Sequence, residues 1–246
     1  MQTLVVIPSR IGSTRLPRKP LVDLAGKPMI QRVYETAIGC RSVSKVVVAT
    51  DSQEIAQVIQ NINGHVEFTS PHHETGSDRV AEVAARYPNM DVIVNLQGDE
   101  PFIQAHMLEQ LVEPFARGEN ISMSTLAYPL DFQKDYASPH IVKVLLDCHD
   151  DALYFSRAPI PFFRTQIQDC PVMHHMGLYA FKREFLLQYT KLPKTKLEIA
   201  ESLEQLRALE NGYKIRVCKT EHSTLEINTP EELALAQEMA KTFFTK

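Results

Sequence analysis

Short runs in which nearly every residue is apolar alternate with segments of helical spacing, and this alternation limits what the chain can fold into. Leu4 to Ile7 (LVVI), Lys45 to Thr50 (KVVVAT) and Val92 to Leu96 (VIVNL) are too short for helices and suit strands covered on both faces of a sheet. Pro8 is expected to end the first of them, since proline gives no amide hydrogen to a ladder. Met29 to Ile38 carries Met29, Ile30, Val33, Ala37 and Ile38 at helical spacing, with Pro28 placed for a first helical turn. Asp51 to Glu54 predicts an N-cap and capping-box glutamate for a helix that buries Ile55, Val58 and Ile59. Val66 to Thr69 reads as a strand, Asp78 to Tyr87 as a helix, and Ala105 to Phe115 as another. The expectation is an α/β fold built on a doubly wound, mostly parallel sheet.

Between Ile121 and Pro193 the alternation lapses. Ser122 to Ala127, Ile141 to Asp147, Ala152 to Ser156 and Met176 to Phe181 read as strands with few helices between them, which predicts a smaller antiparallel insert or lid. The pattern resumes with a helix over Leu197 to Asn211 stopped by Gly212, and a strand over Lys214 to Cys218. A closing helix to about Phe243 is capped by Thr229, Pro230 and Glu232. With no repeat, linker or low-complexity segment, 1–246 is expected to be a single domain, and 121–193 a lid or dimerisation subdomain within it.

A chain of 246 residues buries roughly 70 to 75% of its unfolded surface and needs no staples. The four cysteines, Cys40, Cys148, Cys170 and Cys218, contain no CxxC pair, which argues against a zinc ribbon or disulfide framework. A net charge of -4 gives no reason to expect a nucleic-acid partner. No signal peptide or run of ~20 apolar residues is visible, so a cytoplasmic protein without a membrane segment is expected.

The chemistry concentrates where strands end. The loop after Ile7 holds Arg10, Arg15, Arg18 and Lys19 together with Gly12, Ser13 and Thr14. Such a loop is either a solvated surface segment or a polyphosphate cradle; its place at the carboxyl end of the first strand favours the cradle. GxxxxGK followed by Ser or Thr is absent, as is GxGxxG, so any nucleotide site belongs to another class. The strand at Val92 runs into Asp99 and Glu100, either an acidic helix cap or the carboxylates of a magnesium site opposite the phosphates. Adjacent histidines, His72 with His73 and His174 with His175, point to opposite sides of an extended chain and make poor joint zinc ligands. No GxSxG elbow marks a serine hydrolase.

Taken together these segments resemble the bacterial 3-deoxy-manno-octulosonate (Kdo) cytidylyltransferases over nearly the whole chain. The family's IPAR-x-x-S-x-R-x-P-GKPL loop corresponds to Ile7 to Leu21, and its HxSGTDR segment to His73 to Arg79. NxQGDEP stands intact from Asn95 to Pro101, and ALYFSR-x-PIP from Ala152 to Pro161. His175, Gly177, Tyr179, Ala180 and Phe181 meet HxGxYA-[YF], and Glu201 to Arg207 supplies ESLEQLR. The resemblance implies a nucleotide-diphospho-sugar transferase-like fold and an enzyme that joins CTP to Kdo with Mg²⁺, releasing CMP-Kdo and pyrophosphate for lipopolysaccharide assembly. It further implies a homodimer, triphosphate contacts from Arg10, Ser13, Arg15 and Lys19, and cytidine contacts from Thr75, Gly76, Ser77 and Arg79. Asp99 would hold the metal. Arg10, Arg15, Lys19 and Asp99 form the implied catalytic set, while Gln97, Arg157, His175, Tyr179, Glu204 and Gln205 would contact the sugar acid.

Three positions depart from the family pattern. Arg18 and Asp150 stand where the family has glycine, and Asn228 replaces the aspartate of DTPE that is its second metal ligand. Asparagine offers a carbonyl oxygen but removes a charge, so weaker metal binding is expected unless Glu226 compensates. Another acidic sugar as acceptor, such as 8-amino-Kdo or a sialic-acid-like ulosonate, and a non-catalytic nucleotide-binding relative are the competing readings.

Overall fold

The computed structural model describes residues 1–12, 16–165, 167, 170 and 172–244. In chain order the elements are β1 (Thr3–Ser9), a single 3-10 turn (Lys19–Leu21), the hairpin β2 (Asp23–Leu24) and β3 (Lys27–Pro28), α1 (Met29–Ile38), β4 (Lys45–Thr50), α2 (Gln53–Asn61), β5 (Val66–Phe68), α3 (Gly76–Ala85), β6 (Val92–Asn95) and α4 (Ala105–Ala116). There follow β7 (Met123–Pro129), β8 (Lys143–Leu146), β9 (Ala152–Ser156), β10 (Val172–Lys182), α5 (Arg183–Tyr189), α6 (Lys196–Glu201), α7 (Leu206–Glu210), β11 (Ile215–Lys219) and α8 (Pro230–Phe243). They form two compact units, one of Met1–Glu109 with Thr224–Lys246 and one of Gln110–Ser223.

In the first unit the strand order is β6-β1-β4-β5, every pair parallel. Leu4 to Ile7 of β1 are fully buried between its neighbours, each side chain worth roughly 1.5–3 kcal/mol against exposure. Pro8 does not end β1, which continues to Ser9 in register with Ala49 and Thr50 of β4. The reason lies in the parity of the ladder. The Val6 carbonyl accepts from Leu96 N at 3.1 Å, so Pro8, two residues on, turns its missing N–H toward the β6 side, where pairing stops at Val6 opposite Asn95.

The cap of α2 also differs from expectation. Ser52, not Asp51, is the N-cap, its hydroxyl accepting from Ile55 N at 3.5 Å, and Glu54 closes no capping box. Asp51 is engaged instead by Arg79, and Glu54 by Arg18. Capping boxes do start α3, through Thr75 and Asp78, and α8, through Thr229 and Glu232. Leu24, Met29, Phe102, Ile227, Ala236 and Ala240 bury α8 against the β2–β3 hairpin and α1, so the end of the chain packs onto its beginning.

In the second unit β11 runs parallel to β7, while β7–β10, β10–β8 and β8–β9 are antiparallel. A register shift between Met176 and Tyr179 marks a bulge in β10. The single helix expected over Leu197 to Asn211 is two, α6 and α7, because Ser202 takes a left-handed conformation at φ 53°. Gly212, at φ 79°, does end α7. No helix among the described residues is long and apolar enough to cross a membrane.

Candidate functional site

In the first unit a cleft of about 510 Å³ opens beyond the carboxyl ends of β1 and β6 and at the amino end of α3. Ser9 lines it from the end of β1, Arg10, Gly12 and Lys19 from the loop that follows, and Gln97, Gly98 and Asp99 from the loop after β6. The basic loop and the acidic turn therefore share one cavity, as the polyphosphate reading requires. Thr75, Gly76 and Arg79 line it from α3, whose first amides carry the positive end of the helix dipole. Ser13 and Arg15 lie outside the described residues.

Lys19 is the hinge of the electrostatics. Its Nζ stands 2.5 Å from Asp99 Oδ2 and 3.0 Å from Asn228 Oδ1. The Asp99 carbonyl accepts from Ile227 N at 3.1 Å, which stitches the Asn228 segment to the turn after β6. Asn228 donates its amide to Glu226 Oε1 at 2.6 Å, and so turns its carbonyl oxygen toward the lysine. Asp99 Oδ1 is buried and has no hydrogen-bond partner among the described residues. Desolvation, and after it the Asp99 carboxylate, shifts the Glu226 carboxyl upward from its ordinary value.

The two adjacent carboxylates part company. Glu100 is buried, accepts from Thr224 Oγ1 at 2.5 Å, and is pushed up to about 8 by desolvation, so it is largely protonated at neutral pH. Only Asp99 faces the cleft. Arg18 also leaves the group of four cations, pairing outward with Glu54 on an exposed surface.

Arg79 reaches the cleft with its guanidinium held by Thr69 Oγ1 at 2.5 Å and Asp51 Oδ2 at 3.0 Å. Ser77 is buried, its hydroxyl accepting from Asn95 Nδ2 at 3.4 Å, and is not among the lining residues. His73 and Glu74, which line the cleft, and Asp51, which aims Arg79, are site positions to which the motifs assign no role. The signal for Asp51 was its place just beyond the carboxyl end of β4. His73 Nε2 is tied to Glu82 Oε2 at 2.5 Å, while His72 is exposed.

Of the sugar-side residues, Gln97 belongs to this cleft, its Nε2 donating to Asn95 Oδ1 at 3.3 Å. The others lie in the second unit. The rings of His175 and Tyr179 are 5.6 Å apart. His175 Nε2 is 2.9 Å from Thr125 Oγ1, and that hydroxyl gives its single proton to a carbonyl, Leu178 O lying at 2.7 Å. The Thr125 oxygen therefore accepts from Nε2–H, which fixes the tautomer. Burial pushes His175 down to about 3, so it is neutral at any ordinary pH, and burial together with the Glu204 carboxylate raises the Tyr179 phenol. Arg157 donates from Nε to the Glu201 carbonyl at 2.9 Å, and the buried Gln205 Nε2 has no partner among the described residues.

Among the described residues no group of three or more His, Cys, Asp and Glu side chains stands ready to hold a metal ion. A closed protein cage is not what a phosphate-bound magnesium ion needs: one or two protein oxygens plus phosphate and water suffice. Asp99, with an unused buried oxygen, and the Asn228 carbonyl fit that donor set, and Lys19 already places a positive charge between them.

The cytidylyltransferase family matches residues 4–215. A 3-deoxy-manno-octulosonate cytidylyltransferase of Acaryochloris marina is 55% identical over 96% of both chains, and one of Trichlorobacter lovleyi is 49% identical over 98% of this chain and 99% of the relative. A solved CMP:2-keto-3-deoxy-manno-octonic acid synthetase complexed with CTP superposes with a TM-score of 0.92 at 40% identity, covering 98% of this chain and 99% of its own. At 12% identity and a TM-score of 0.65, a 4-diphosphocytidyl-2C-methyl-D-erythritol synthase from Anaerococcus prevotii shares the fold, covering 98% of each chain. The fold is thus the nucleotide-diphospho-sugar transferase-like α/β fold, and the chain belongs to the cytidylyltransferase family.

Proposed function

We propose that the protein joins CTP to 3-deoxy-D-manno-octulosonate, giving CMP-Kdo and pyrophosphate for lipopolysaccharide assembly. The observation that carries this reading is one cleft lined by Arg10, Lys19 and Asp99 beside the amino end of α3, with Lys19 on Asp99, in a chain 55% identical to a relative named for this transfer. The sugar hydroxyl oxygen forms a bond to the α-phosphorus as the bond to the β-phosphate bridging oxygen breaks, with pyrophosphate leaving and the hydroxyl proton passing to solvent. No enzyme nucleophile takes part.

In this reading Arg10, Ser13, Arg15 and Lys19 neutralise the triphosphate, and the charge that builds on the departing pyrophosphate is met by groups already in place. Thr75, Gly76, Ser77 and Arg79 serve the cytidine. Asp99 and Asn228 would hold Mg²⁺, which when bound supplies Lewis-acid polarisation of phosphate oxygens. With CTP present, Lys19 exchanges its contact with Asp99 for the phosphates. Gln97, Arg157, His175, Tyr179, Glu204 and Gln205 bind and orient the sugar acid, His175 as a neutral hydrogen-bonding group. The same reading takes the protein as a cytoplasmic homodimer, with 121–193 as its lid or dimer contact. Pyrophosphate release with CTP, Mg²⁺ and a panel of acidic sugars tests it: Kdo should be the fastest acceptor. Faster turnover on an amino-substituted or sialic-acid-like ulosonate would reassign the acceptor, and CTP binding without turnover on any acceptor would reject the enzyme.

A further inference from the structure

Lys143 is fully buried, in the middle strand of the antiparallel trio β10–β8–β9, directly opposite Ser156. A buried ammonium is expensive, and core packing alone is served as well by an apolar side chain of the same length. This one is completely satisfied. Its Nζ donates to three backbone carbonyls, Ser138 at 2.8 Å, Ile141 at 2.7 Å and Arg157 at 2.6 Å. Three acceptors use all three protons of an ammonium, whereas a neutral amine would turn a lone pair on one of them.

Arg157 lies at the end of this network, and further hydrogen bonds hold it. Its own N–H donates to Glu201 Oε2 at 2.9 Å, its Nε to the Glu201 carbonyl at 2.9 Å, and its Nη1 to the Pro139 carbonyl at 3.1 Å. Pro139 sits in the 138–141 turn, whose Ser138 and Ile141 carbonyls Lys143 holds. Ser156, one residue before the arginine, donates to Glu201 Oε1 at 2.6 Å. Arg157 Nη2 donates to no described residue. Backbone, Nε and Nη1 are thus fixed, and one edge of the guanidinium is left to meet an anion.

We infer that Lys143 is a positioning residue for Arg157: by clamping the Arg157 carbonyl to the 138–141 turn it holds the guanidinium edge in the orientation that receives the carboxylate of the acidic sugar. The inference rests on the reading of Arg157 as a sugar contact. Lys143 touches no substrate.

Steady-state kinetics and CTP titration on the full chain decide the matter. Lys143→Met should raise KM for Kdo about tenfold or more, since a displaced anchor loses aim rather than charge, while the CTP dissociation constant stays within about twofold. The decisive measurement is the double variant. If Lys143 acts through Arg157, Lys143→Met adds almost nothing to KM in an Arg157→Ala background. A Lys143→Met effect that persists undiminished in that background overturns the positioning role and leaves the sugar assignment standing. An Arg157→Ala protein with unchanged KM for Kdo overturns both. Unchanged KM in Lys143→Met, or parallel losses in CTP and Kdo binding, also overturns the role. Should Lys143→Met fail to fold, Lys143→Gln, which keeps two N–H donors, takes its place in the same cycle with the same criteria.

Discussion

At the scale of single residues, charge placement dominates. Lys19→Ala and Asp99→Ala each remove one side of the 2.5 Å contact inside the cleft without emptying a core position. Each should lower turnover by about 10²–10³-fold or more, the usual cost of deleting one preorganised electrostatic group, with cooperative melting retained. Pyrophosphate release checks the first expectation and circular dichroism the second; near-normal rates in either variant would remove that residue from the mechanism. Asn228→Asp adds a carboxylate beside Asp99, where the asparagine now contributes only a carbonyl oxygen, and should move the Mg²⁺ midpoint of activity to lower concentration. Coincident titrations for the two proteins would count against Asn228 as a metal contact. The two glycine replacements have a backbone reading. Arg18 lies at φ 54° and Asp150 at φ 63°, both left-handed, which is why glycine suits those positions. Arginine has no short polar side chain to ease that conformation, so Arg18→Gly should raise stability by about 1 kcal/mol, less the small contribution of the exposed Arg18–Glu54 pair. Asp150→Gly should gain less, because aspartate tolerates the left-handed region. Thermal melts of the two variants would show whether the order holds.

At the scale of elements, β10 joins packing to chemistry. It pairs β7 along most of its length and β8 at its start, so His175 is locked between buried neighbours with Thr125 as its partner. Its folded pKa of about 3 lies below that of an unfolded histidine. The unfolded chain therefore binds the extra proton first, and stability is complete above about pH 6.5 and falls as pH drops toward 3, by about 1.4 kcal/mol per unit. His175→Gln should flatten the fall in melting temperature between pH 6.5 and pH 4; identical slopes would show that the imidazole does not stay neutral. The same strand shows how tertiary forces shape an element. Apolar spacing from Met176 marks only its later half, yet it begins at Val172 because β8 offers a ladder to Val172, Met173 and His174. Likewise the apolar residues of 197–211 follow one helical period, but Ser202, left-handed at φ 53°, breaks the helix, and Glu198 of the first half pairs with Arg207 of the second. Periodicity reports the buried face and is silent about such a break.

At the scale of the molecule, the residues assigned to the nucleotide and metal that the structure describes belong to the unit formed by Met1–Glu109 and Thr224–Lys246. Saturating CTP at a hundred times its dissociation constant should stabilise the protein by about 2.7 kcal/mol, read as an upward shift in melting temperature. Lys19→Ala should lose most of that shift and Lys143→Met should keep it. Loss of the shift in both would mean that nucleotide binding is not confined to the groups assigned here. The strand runs, the capping box of α8 and the loops that carry chemistry were determined by sequence alone, since each depends on residues a few positions apart and on backbone preferences they carry anywhere. Tertiary structure alone decided that Asp99 faces the cleft while Glu100 is buried on Thr224, that Arg18 turns out to Glu54 while Lys19 turns in, and that Asn228 joins Lys19 from 209 residues away. Those outcomes depend on burial and on partners distant in the chain, and neither the spacing nor the type of neighbouring residues encodes which way a loop side chain will point.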